Sequence, residues 1–362
     1  MKKIAAIILI LAMLGFVLGC SSTDVGNTST SPENTAAESA DIPEQTAEPQ
    51  GPEPVKVALL LNGTINDGSY CQFAFEAVRD GVAEFNYEYA YTENIVLADT
   101  YSIAANYIDN GYTLLIANGA DFSDAFRILS AEFPDVKFGI LSGNESAEPN
   151  LSDYRCYTPQ VGFLAGSIAA MASKSGVVAT AAGVAYAHVK DNVAGFEAGA
   201  KYINPDITVL TGYIESWSDV AKAKEMSMAY IEQGADVIYC SANAAALGAY
   251  EAAEESGNVL CIGATADMYE TSPDTIIVSI IQSQYDIVYS VLKDFFAGTL
   301  DGTASVVGVA EGVVRLSDWH GHESWLPEGS LAKIDEILAG LSDLSLVKQG
   351  ICPKSVYDTN VY

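Results

Sequence analysis

Beyond Val55 the chain alternates between two patterns of apolar and polar positions. Runs of five to eight mostly apolar residues read as buried strands: VKVALLL (55–61), TLLIA (113–117), VKFGIL (136–141), GVVATAA (176–182), ITVLTGYI (207–214), DVIYC (236–240), VLCIGA (259–264) and TIIVSII (275–281). Most are followed by longer stretches with apolar residues three and four apart, which predict helices. These helices cover about Ser69 to Phe85, DFSDAFRILSAEF, about Gln160 to Ala172, VKDNVAGFEAGAKYI, SDVAKAKEMSMAYIEQ, AAALGAYEAAEES and about Tyr285 to Phe296. Near-continuous apolar strands separated by helices predict parallel sheets covered on both faces. The β-α rhythm runs through both halves without a short-period repeat, as two doubly wound lobes would require.

The first 54 residues follow neither pattern. Lys2 and Lys3 precede an apolar stretch, Ile4 to Leu18, that is too short to span a bilayer and reads as a signal peptide. It ends in Val17-Leu18-Gly19-Cys20, which resembles the lipobox of bacterial lipoproteins, so residues 1–19 are expected to be removed and Cys20 to carry lipid. Residues 21–54 are rich in Ser, Thr, Pro, Glu and Ala and hold no Lys, Arg or aromatic residue. Such a segment buries too little apolar surface to offset chain entropy, which predicts a disordered tether over 20–54 between anchor and globular part.

Composition narrows the function. A net charge of −30 over 362 residues excludes a nucleic-acid polymer as partner, because polyphosphate needs a basic footprint. With Cys20 lipidated, five of the six cysteines remain, and their spacings match no zinc site or disulfide framework. His320, His322 and Glu323 sit close together in DWHGHES, but a His-x-His between aromatics reads as packing or surface, so no metal is expected. No G-x-S-x-G, no Cys–His signature and no phosphate-binding glycine loop appears, so neither catalysis nor a cofactor is expected.

In doubly wound sheets ligands sit at the carboxyl ends of the strands. The polar turns there are 62–70, 118–123, 142–144, 186–192, 241–245 and 264–267. In the first, LNGTINDGSYCQ, Ser69 and Gln72 fit a capping box that would start a helix. Trp217, just after a strand, offers a flat stacking surface. Asp219 beside it suits a helix start.

Several stretches taken together resemble the basic membrane protein family of ABC-transporter substrate-binding lipoproteins, whose best-known members bind purine nucleosides. They are GTINDGSYCQFAFEAV, ANGADFSDAFRILSAEFPDVKFGIL, QVGFLAGSIAAMASKSGVVA, AGFEAGAKYINPDITVLTGYIESWSDVAKAKE, QGADVIYCSAN, CIGATADMYETSPDTIIVSI and AGTLDG, spread over most of residues 55–320. The resemblance implies a type I periplasmic-binding fold, two α/β lobes joined by a hinge of three crossings near Tyr157, Gln282 and Ser305. One lobe would hold 55–157 plus 283–305, the other 158–282 plus 306–362. It also implies a monomer, lipid-anchored on the extracytoplasmic face of the cell membrane, that delivers a small solute to an ABC permease.

Some positions depart from the family's nucleoside-contacting pattern. Leu61, Ser142 and Thr265 stand where an acid is frequent, Tyr70-Cys71 where Phe-Asn is, and Gln282 where a Lys is. The expected contacts are therefore neutral and aromatic. Asn66 and Asp67 supply a polar edge, Tyr70 a stacking wall, and Trp217 or Phe196 the opposite face. Asn118, Ser142, Asn243, Asp267 and Gln282 complete the hydrogen bonding. A purine nucleoside is the first expectation, and a free nucleobase or a sensory role without transport the alternative.

Overall fold

The computed structural model describes residues 54–67, 70–143 and 145–355. The expected signal peptide, Cys20 and nearly all of the tether lie outside the described residues, as do Gly68, Ser69, Asn144 and 356–362. The chain first forms β1 (Lys56–Leu61), α1 (Tyr70–Phe85), β2 (Glu88–Thr92), α2 (Thr100–Asp109), β3 (Leu114–Asn118), α3 (Ser123–Glu132), β4 (Lys137–Leu141) and β5 (Leu151–Cys156). Next come α4 (Thr158–Ala172), β6 (Val177–Ala182), α5 (Ala187–Ile203), β7 (Thr208–Tyr213), α6 (Val220–Glu232), β8 (Val237–Ser241), α7 (Leu247–Ser256), β9 (Leu260–Thr265) and β10 (Ile276–Gln282). The chain closes with α8 (Gln284–Ala297), β11 (Ala304–Val307), β12 (Val314–Leu316), α9 (Ser330–Ser342) and α10 (Ser345–Lys348).

These strands make two six-stranded sheets, in the orders β11-β5-β4-β3-β1-β2 and β12-β10-β9-β8-β6-β7. The first is parallel throughout. In the second, β12 alone runs antiparallel, against β10. The type I periplasmic-binding fold is thus present: two doubly wound lobes. Alternation along β1 shows how each sheet is covered. Val57, Leu59 and Leu61 pack with Ala74 and Val78 of α1 and Val288 and Val291 of α8. Ala58 and Leu60 face the other way, toward Ala104 of α2 and Phe126 and Leu129 of α3.

Three crossings join the lobes. The chain leaves the first sheet after β5, returns after β10 and leaves again after β11. The third crossing follows Val307 rather than Ser305, because β11 keeps pairing with β5 as far as Val307 opposite Cys156. Backbone bonds stitch the crossings together: Tyr157 N donates to Val307 O at 2.8 Å, and Ser283 N to Val313 O at 2.9 Å. Buried Gln160 adds a bond to Leu341 O at 3.0 Å and accepts one from Val309 N at 2.9 Å.

Elements whose periodicity is weak in the sequence appear at the margins. β2 is an edge strand with exposed Glu88 and Tyr91, and β5 carries the wholly buried Asp153, so neither reads as an apolar run. The most constrained contact is between α4 and α5. α4 is apolar on all sides and almost wholly buried. Cβ atoms at Gly162, Gly166, Gly195 and Gly199 would lie 1.8, 2.0, 2.2 and 2.0 Å from carbonyl oxygens of the facing helix. The two backbones therefore touch directly. The histidines of DWHGHES are absorbed in packing: His320 stacks on Tyr269 at 4.0 Å and His322 on Trp325 at 3.7 Å. Cys71, Cys156, Cys240 and Cys261 are free thiols.

Two outcomes follow from this packing. Gly166→Ala or Gly199→Ala should destabilise the protein by about 1–3 kcal/mol or more, read from chemical denaturation, because neither backbone can retreat. The second concerns pH. His320 Nε2 lies 2.8 Å from Asp267 Oδ2, and that bond raises the imidazole above its ordinary 6.5. A raised folded value means the pair stabilises fully below about 6.5 and fades as pH rises through the folded value. The His320→Gln variant should therefore lose more melting temperature, relative to the native protein, at pH 6 than at pH 9; an equal loss at both would show the pair to be inert.

Candidate functional site

The turns at the carboxyl ends of both sheets carry the candidate site. In the first lobe, both Asp67 oxygens accept helix-start amides, from Cys71 N and Gln72 N, each at 3.0 Å. Asp67 therefore caps α1, the role read in the sequence for Ser69, which is outside the described residues. Asn66 stands exposed beside it. The turn is tied to the end of β2 by Ile65 N, which donates to Glu93 Oε1 at 2.6 Å.

Behind this turn runs a continuous polar network. Asn62 Nδ2 donates to Asp121 Oδ2 at 3.1 Å, and the Cys71 thiol donates to Asn62 Oδ1 at 3.7 Å. Burial, reinforced by Asp67, pushes that thiol up to about 11, so it stays protonated. Asn118 is wholly buried; its Nδ2 donates to Tyr70 O at 3.3 Å, and its Oδ1 accepts from Gln284 Nε2 at 2.6 Å. The Tyr70 hydroxyl meets Ser142 and Gln284, and burial pushes it up to about 12, so it too stays neutral. Ser142 holds a left-handed φ of 56°, and the next amide, Gly143 N, donates to Asp153 Oδ1 at 2.9 Å. Burial raises the Asp153 carboxyl, and Arg155, whose Nε bonds it at 2.6 Å, opposes that rise.

The second lobe contributes aromatic surface. The Trp217 ring lies over Gly183, where a Cβ would come within 2.3 Å of it. Tyr186 is 55% exposed, 6.5 Å from Trp217 and 6.1 Å from His188. Burial lowers the His188 pKa, keeping that ring neutral. Asn243 is exposed, and Gln282 is half-buried at the end of β10 opposite Val314. Asp267 is turned aside: one oxygen accepts from Tyr269 N at 3.1 Å and the other meets His320. Asp219 caps α6 by accepting from Lys222 N at 3.0 Å.

Phe196 does not reach this surface. It is wholly buried, stacked on Tyr239 at 5.9 Å, and its backbone seats Gly166. A phenylalanine in a glycine-rich helix was more easily read as a ligand wall than as the partner of a second glycine-rich helix. Asn66, Tyr70, Ser142, Trp217, Asn243 and Gln282 lie at the carboxyl ends of strands or in the turns that follow them. The structure places Asp67, Asn118 and Asp267 nearby but spends their bonds within the protein.

It also adds residues not singled out in the sequence: Asn62, Asp121, Tyr186, His188 and Gln284. Tyr186 and His188 lie in the polar turn 186–192 but carry no motif; Gln284 is made relevant only by tertiary contact. Backbone strain marks the same end of the molecule. Asn94, Ser142, Glu215, Asn243 and Thr265 have positive φ, and each lies at or just past the carboxyl end of a strand. Left-handed non-glycine residues cost about 1–3 kcal/mol each and cluster at functional sites. A concavity of about 610 Å³ lined by Lys174, Asp236, Glu254 and Asp274 lies at the opposite, amino end of the second sheet. The polar and aromatic groups described above do not reach it.

Comparison with known proteins agrees with this fold. Residues 54–332 match the family described as ABC transporter substrate-binding protein PnrA-like. Basic membrane protein D of Borreliella burgdorferi is 28% identical, covering 79% of this chain and 78% of its own. Transcriptional activator protein med of Bacillus subtilis is 26% identical, covering 72% and 81%. An ABC transporter solute-binding protein from Aeropyrum pernix superposes with a TM-score of 0.66 at 20% identity, over 81% of this chain and 92% of that one, a likeness of fold. With two doubly wound lobes, polar and aromatic turns gathered at their strand ends, and a family match across nearly all of the described chain, the protein belongs to the PnrA-like family of ABC transporter substrate-binding proteins.

Proposed function

We propose that the protein captures a purine nucleoside between its lobes and delivers it to an ABC permease, acting as a monomer held to the extracytoplasmic membrane face by lipid on Cys20. One observation carries the ligand reading: uncharged hydrogen-bonding side chains at the strand ends of both lobes stand with aromatic surface on the second. Apart from Lys190 in 186–192, the turns at 62–70, 118–123, 142–144, 214–219, 241–245, 264–267 and 282–283 contain no Lys or Arg. A phosphate would meet at most one cation there, so a nucleotide is disfavoured. Tyr70, Ser142, Asn66, Asn243 and Gln282 offer donors and acceptors for base and sugar edges. Trp217 takes one face of the base, and exposed Tyr186 takes the place expected for Phe196. Nothing in this arrangement pairs an acid with a base across a reacting bond, so the solute leaves unchanged. A sensory role is the second reading, favoured by the similarity to the Bacillus subtilis transcriptional activator protein.

Calorimetric titration against adenosine, guanosine, inosine and the free bases tests the ligand. Binding of a nucleoside is expected; failure of the whole panel while a sugar or peptide binds would sink the purine reading. Trp217→Ala and Tyr186→Ala should each weaken binding by about 0.5–1.5 kcal/mol beyond lost burial. Asp67→Ala should act mainly through the helix cap, lowering stability by about 0.5–2 kcal/mol. Cys20→Ser should move the protein from the membrane fraction to the soluble one, and retention would refute the anchor.

A further inference from the structure

Gln284 is the second residue past the end of β10, where the chain returns to the first lobe, and it is 3% exposed. A buried primary amide must find partners. Its Nε2 donates to Asn118 Oδ1 at 2.6 Å, and its side chain also meets the Tyr70 hydroxyl. Asn118 in turn donates to the Tyr70 carbonyl at 3.3 Å. Two hydrogen bonds thus join three residues from the end of β3, the start of α1 and the start of α8, and the Gln284 side chain closes the ring against the Tyr70 hydroxyl.

One corner of that ring is fixed to a crossing. Ser283 N donates to Val313 O at 2.9 Å, and Ser283 Oγ accepts from Asp286 N at 3.1 Å, capping α8. The opposite corner is the Tyr70 ring, on the cleft wall. Asn118, between them, is wholly buried, with its Nδ2 and Oδ1 both engaged within the lobe, so it has no surface to offer a solute.

We propose that Gln284 is a positioning residue for solute binding, setting Tyr70 in the wall and joining that wall to the crossing about which the lobes are connected. The inference rests on the cleft being the solute site. It assigns the wall's geometry to a residue that touches no solute and lies beyond the strand-end turns. Without Gln284, Asn118 Oδ1 loses its donor, and the amide that holds the Tyr70 carbonyl is free to rotate. The start of α1 would then be held by the Asp67 cap without its link to the crossing.

The test uses full-length native protein, Gln284→Met of similar length and shape, and Asn150→Ala as control. Asn150 is also a buried amide, bonded to the carbonyls of Ser130, Phe133 and Val136, which lie around α3 and the start of β4. Gln284→Met should weaken binding of the best nucleoside by about 3- to 10-fold, the worth of one or two hydrogen bonds. Asn150→Ala should lower the melting temperature yet leave affinity unchanged. Adding Asn118→Ala to Gln284→Met should weaken binding by less than the product of the separate effects, since both act on Tyr70. A fluorotyrosine placed at position 70 gives a readout without solute, and its ¹⁹F resonance should shift or broaden in Gln284→Met but not in Asn150→Ala. Native affinity in Gln284→Met, or an unmoved resonance, overturns the positioning role. Absence of nucleoside or nucleobase binding in the native protein overturns instead the reading on which it rests.

Discussion

The molecule depends on three chain crossings held to one another by backbone hydrogen bonds. Tyr157 N to Val307 O and Ser283 N to Val313 O bring all three together. Within each sheet the inner strands are buried under helices on both faces and hydrogen-bond to neighbours on both sides. What remains polar is the set of turns at the strand ends. Because the crossings leave from the carboxyl ends of β5, β10 and β11, it is the carboxyl ends that they gather. The site is therefore a consequence of where the chain changes sheets, and its side chains elaborate a position the topology has already chosen.

The charge of this protein is distributed with the same economy. A net charge of −30 keeps the surface acidic, yet several groups nearest the cleft wall are neutral at ordinary pH. Burial holds the Cys71 thiol and the Tyr70 phenol protonated and the His188 ring uncharged. The nearby carboxylates are engaged: Asp67 by two helix amides, Asp121 by Asn62, and Asp267 by Tyr269 N and His320. A neutral solute entering such a site loses water without meeting an unpaired buried charge, which is the condition for hydrogen bonds and ring stacking to decide affinity.

Much of the fold was legible because its strands are apolar on both faces, so β1, β3, β4 and β6 stand out as unbroken runs. What was missed follows from chemistry that periodicity does not carry. β5 hides its strand character behind Asp153 and Arg155, whose pairing exists only once the chain is folded. The α4–α5 contact was visible as scattered glycines, but only the structure shows Gly162 opposite Asn192 and Gly199 opposite Phe163. The turns were found through their place after strands. The direction of each side chain was not: Phe196 points into a core made by its own lobe, and Asp267 toward a loop some fifty residues away in sequence.

These misassignments share a cause. A polar residue in a strand-end turn has two competing uses, satisfying the turn itself or meeting a solute, and residue type does not separate them. The separation comes from counting bonds. Asp67 and Asn118 have their principal hydrogen-bonding atoms engaged inside the lobe, so they hold the wall. The Tyr186 ring is 55% exposed and the Tyr70 and Trp217 rings are partly buried, so these three are the candidates for the wall. The left-handed backbone at Ser142, Asn243 and Thr265 belongs with the second group, because an ordinary turn would have placed glycine there. On that ground Ser142 of the first lobe and Asn243 and Thr265 of the second are candidates for the polar part of the site, the latter two on the same lobe as Trp217 and Tyr186.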